Sequence, residues 1–70
     1  MKELIAKDQR RIATLIASPL KEEGATGKVA EYAVITATQQ MTRLFKQAFG
    51  ITITPQQQDE IRQEAMEKLG

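Results

Sequence analysis

From Ala30 onward, apolar residues return at Val34, Ala37, Met41, Leu44 and Ala48, at alternating intervals of four and three. At 100° per residue these positions fall on one stripe of a helix. The β-branched Val34, Ile35, Thr36 and Thr38 in the same stretch would also suit a strand. Strand alternation, however, sets Tyr32, Val34, Thr36 and Thr38 against Ala33, Ile35 and Ala37, which separates apolar from polar poorly. The pattern therefore predicts a long central helix over about residues 26–49, spanning roughly 35 Å at its usual rise. Thr26 stands at its N-cap, and Gly50 at the position where left-handed glycines end helices.

The flanking segments predict two shorter helices. "KELIAKDQRRIATLIAS" places Leu4, Ile5, Ile12, Leu15 and Ile16 on one face, giving a helix over about residues 2–18 that Pro19 stops or kinks. "PLKEEGATG" then reads as a mobile connection. After Gly50, "ITIT" alternates like a short strand over residues 51–54 and needs a partner outside itself. Thr54, Pro55 and Gln57 occupy the N-cap, N1 and N3 positions of a capping box. The helix they open, about residues 55–69, carries a narrow stripe of Ile61, Ala65 and Leu69 and is expected to dock as a lid. The chain thus reads as one all-α domain over residues 1–70, without internal repeats.

Seventy residues make a small core, a size at which self-association often adds stability. Small side chains at Ala30, Ala33, Ala37 and Ala48 would let another helix approach closely, and Ile35, Phe45 and Phe49 widen the apolar arc beyond what two short helices cover. The expectation is a homodimeric helical bundle with its seam at Ala30, Val34, Ala37, Met41, Leu44, Phe45, Ala48 and Phe49.

Composition narrows the chemistry. The chain has no Cys and no His, which removes disulfides, thiolate or imidazole zinc sites and an imidazole base. "GATGK" falls short of a phosphate-loop pattern and follows no strand. No catalytic residue, metal site or cofactor is therefore expected. Asp8 stands out because it falls between Ile5 and Ile12 on the apolar face of the first helix. A carboxylate there is either paired, at an edge, or a recognition residue in a partner groove. Away from the apolar stripe, Lys28, Tyr32, Gln39, Arg43 and Lys46 share a face of the central helix, a set suited to phosphates and bases. The net charge of +1 predicts neither a nucleic-acid nor a membrane partner by itself. The opening "MKE" and the lack of a long apolar run point to an unprocessed cytoplasmic chain.

The order of medium helix, long helix, β-like loop and capped helix resembles that of the histone fold, the resemblance being carried by "GITITPQQQDEIRQEAMEKL". It implies an alternative architecture, a dimer crossing along the long helices with residues 51–54 paired as strands between the chains. Two functions follow from these features. The first is a non-enzymatic binding protein that regulates, inhibits or escorts another protein through a helical dimer surface. The alternative is a dimer that binds DNA or RNA through the basic face of the central helix.

Overall fold

The computed structural model describes residues 2–70, with side chains from Glu3 onward. Three helices, α1 (Ala6–Glu22), α2 (Gly27–Phe49) and α3 (Pro55–Leu69), are accompanied by two two-residue strands, β1 (Lys2–Glu3) and β2 (Ile51–Thr52). The fold is all-α, as its apolar periodicity predicts. The long axis of 37 Å is set by α2, whose 23 residues alone account for about 35 Å of it.

The ends of α2 and α3 lie where the sequence places them because local chemistry sets both. Gly50 adopts a left-handed conformation at φ 66° and returns its N–H to the Lys46 carbonyl. The Thr54 hydroxyl accepts the Gln57 N–H at 3.1 Å, while the Gln57 side-chain oxygen accepts the Thr54 N–H at 3.0 Å. The capping box is therefore complete. Thr26 has the extended backbone of an N-cap, but its hydroxyl makes no capping bond.

α1 departs from expectation at both ends. It begins at Ala6, because Lys2 and Glu3 are drawn into a parallel pairing with Ile51 and Thr52. It also runs through Pro19 to Glu22. Leu20 packs against the core and holds the last turn in place, and the Glu23 N–H bonds to the Pro19 carbonyl at 3.1 Å. The helix thus tolerates losing the one donor that proline lacks. Its connection to α2 is a short turn closed by bonds from Gly24 to the Lys21 carbonyl and from Ala25 to the Leu20 carbonyl.

The buried face of α1 is also rotated from the expected one. Ile12, Ala13, Ile16 and Ala17 point inward, whereas Ile5 and Leu15 are exposed. Small buried residues on both partners, Ala13 and Ala17 on α1 and Ala65 on α3, accompany the most extensive of the three helix pairings. The close approach that an alanine stripe allows is thus made by α1 and α3 within the chain. α3 is no lid: Ile61 and Ala65 are fully buried, and together with Ile12, Val34 and Ile53 they form the centre of the core.

The partner of "ITIT" is β1 of the same chain, where the histone-like alternative expects residues 51–54 to pair between chains. Only Ile51 and Thr52 pair, while Ile53 enters the core and Thr54 caps α3. The N-terminal segment is held a second time by Gln57, whose amide donates to the Leu4 carbonyl at 2.8 Å. Thr38 is buried too, its hydroxyl donating to the Val34 carbonyl at 2.7 Å.

Candidate binding groove

α2 is longer than α1, 23 residues against 17, and a short turn joins the two at the N-terminal end of α2. The difference therefore falls at the C-terminal end of α2. There the stripe that is core at Ala30 and Val34 runs out of neighbours. Met41 and Phe45 remain half-buried against the core, but Leu44 is 52% exposed and Phe49 is 60% exposed. Across from them, on α1, Leu15 is 62% exposed. Between Leu15 on α1 and Phe45 and Phe49 on α2 lies an open hollow of about 350 Å³, floored also by Ile12 and Ile51. The rings of Phe45 and Phe49 meet edge to face, with centroids 5.5 Å apart, so one wall of the groove is preorganised.

Asp8 sits half-buried on the rim of this groove together with Arg11. Its position answers the puzzle of a carboxylate on an apolar face: the face is open at that point, and the carboxylate stays at an edge. Among the described residues Asp8 forms no ion pair, and the one ion pair joins Arg62 to Asp59 on α3. On the outer side of Leu15 a second hollow is lined by Lys7, Arg10, Arg11 and Thr14. These residues are spaced three, one and three apart, so successive turns of α1 align them into a single strip. Arg10 and Arg11 alone diverge by about 100°. Lys7 and Thr14, one turn to either side, complete a strip that carries three cations.

The expected seam divides in two. Ala30 and Val34 belong to the chain's own core and offer no surface, a correction to the expected interface. Ala37 and Met41 are half-buried, Phe45 and Phe49 form the wall of the groove, and Leu44 and Ala48 are exposed on α2 outside its lining. Leu15, taken from the sequence as core, is its main addition.

Lys28, Tyr32, Gln39, Arg43 and Lys46 of α2 are all exposed, and they fall into two clusters. Gln39, Arg43 and Lys46 border a polar hollow with Thr42 and Gln58. Lys28 and Tyr32 stand at the far end beside Glu31 and Ile35. Roughly 20 Å of helix separates Lys28 from Arg43, and Glu31 reduces the positive charge at the far end. No cluster of potential metal ligands occurs among the described residues, and no helix is long and apolar enough to cross a membrane. Comparison with protein-family models, with curated proteins and with solved structures gave no match to this chain.

Proposed function

We propose that this is a non-enzymatic binding protein that acts on another protein by docking part of it in the groove between α1 and the C-terminal end of α2. One observation carries the reading. Leu15 and Phe49 are large apolar side chains, each more than half exposed, and with Ile12, Phe45 and Ile51 they line a hollow with an aromatic wall. Single exposed apolar residues are ordinary, whereas a contiguous set around a concavity is what polypeptide-binding sites present. Helix-in-groove recognition uses this geometry, with apolar anchors of the guest at three- and four-residue intervals. The absence of Cys and His from the chain suits a protein whose work is binding.

The test is selection from a large random peptide display library with the intact chain as bait. Binders should be recovered whose retention is lost on Leu15→Asp, with circular dichroism of the variant unchanged. A library that yields no binder dependent on Leu15 or Phe49 refutes the reading.

A further inference from the structure

The charge around the groove identifies its guest. Its outer rim carries Lys7, Arg10 and Arg11, against the single carboxylate of Asp8. Among the described residues none of these four takes part in an ion pair, so the excess positive charge beside the apolar floor is not neutralised within the chain. We infer that the groove receives an acidic amphipathic helix of another protein, apolar residues on its inner face and carboxylates along the edge that meets α1. This rests on the groove being the working surface.

Three features agree. The strip from Lys7 to Leu15 covers nine residues of α1, about 12 Å, a length that two to three turns of a guest helix would follow. Arg10 and Arg11 can hold carboxylates through paired N–H donors, which fixes the guest's register as well as attracting it. A second copy of this chain fits less well. A two-fold contact through the groove would bring two copies of the same cationic strip to one seam, and like charges set together at an interface oppose association.

The experiment uses two labelled synthetic helical peptides with identical leucine anchors at i, i+4 and i+7, one flanked by Glu and the other by Lys. Binding is followed by fluorescence anisotropy at low and high salt, and the solution mass of the protein alone is measured by light scattering. The acidic peptide should bind at least about tenfold more tightly than the basic one, with a preference that shrinks as salt rises. The exposed double variant Lys7→Glu, Arg10→Glu should abolish or reverse that preference, and Leu15→Asp should abolish binding of both peptides. Equal binding of the two peptides, dependent on Leu15, overturns the charge assignment and leaves the groove as the working surface. Binding of neither, together with a library selection that yields no Leu15-dependent binder, overturns both. A dimer that Phe49→Asp dissociates makes a second copy the occupant and overturns the acidic guest.

Discussion

Gln57 ties two parts of the chain that are 53 residues apart, and replacing it should show what that tie is worth. Its oxygen completes the capping box of α3, and its amide donates to the Leu4 carbonyl, which anchors the segment that pairs with β2. Gln57→Ala removes both. Loss of a cap costs about 1 kcal/mol, and loss of a hydrogen bond to a partly buried carbonyl about another 1 kcal/mol. The sum of about 2 kcal/mol corresponds to a fall in Tm of roughly 8 to 16 °C for a domain of this size. Gln57→Glu separates the two terms. Its carboxylate still accepts the Thr54 N–H, but it faces the Leu4 carbonyl without a proton to donate. It should therefore cost about 1 kcal/mol or somewhat more at neutral pH, mainly through that contact. In the folded state the introduced carboxyl keeps its proton to higher pH than in the unfolded chain, because only the protonated form can donate to Leu4. The folded state then binds more protons, and the deficit relative to the parent should narrow as pH falls through the carboxylate range. Urea and thermal unfolding followed by far-UV circular dichroism, for parent and both variants at neutral and acid pH, measure each term. A cost below about 0.5 kcal/mol for Gln57→Ala, or a Gln57→Glu deficit indifferent to pH, would refute the reasoning.

Other substitutions probe the core and the turns. Ile61→Ala empties a fully buried position at the centre of the core and should cost about 2 to 5 kcal/mol, enough to leave so small a domain largely unfolded in a urea titration. Thr38→Val exchanges a buried hydroxyl that serves only the Val34 carbonyl of its own helix. It should change stability by less than about 1 kcal/mol in the same assay. Gly50→Ala meets no neighbouring atom, so its cost, about 1 kcal/mol, should come from the left-handed backbone alone. Gly50→Asn, whose side chain tolerates that conformation, should recover part of it.

Much of the fold is legible wherever local chemistry decides it. α2 follows from its four-three spacing, α3 from the Thr54–Gln57 box, and the break between them from Gly50. α1 is less legible because its limits are set from a distance. Lys2 and Glu3 leave the helix for a pairing with Ile51 and Thr52, and Leu4 is held by Gln57. Its inward face was ambiguous for a different reason. Alanine is compatible with either side of a helix, and Ala13 and Ala17 win the core over Ile5 and Leu15 because α3 packs close against α1. The groove divides along the same line. Phe45 and Phe49 are legible as surplus apolar arc beside the stripe, whereas Leu15 reads as core until the structure turns that face outward. The signal for the strip of Lys7, Arg10, Arg11 and Thr14 was present in its spacing, but its meaning depended on knowing that Leu15 lies beside it.

The division between core and groove makes folding and binding separable. Ile12, Val34 and Ile61 are almost wholly buried, so they carry stability and present little to a guest. Leu15 and Leu44 are mostly exposed, so polar substitutions there should shift stability by no more than about 0.5 kcal/mol. Phe49 lies between these extremes, because its ring also rests on Phe45 and an edge-to-face pair contributes about 0.5 to 1.5 kcal/mol. Phe45 links the two regions, packing against the core while forming the groove wall. Leu15 is therefore the cleanest reporter of binding. A loss of peptide affinity on Leu15→Asp with an unchanged urea midpoint assigns the effect to the groove, whereas a parallel loss of both would place Leu15 in the core and remove the groove's α1 wall.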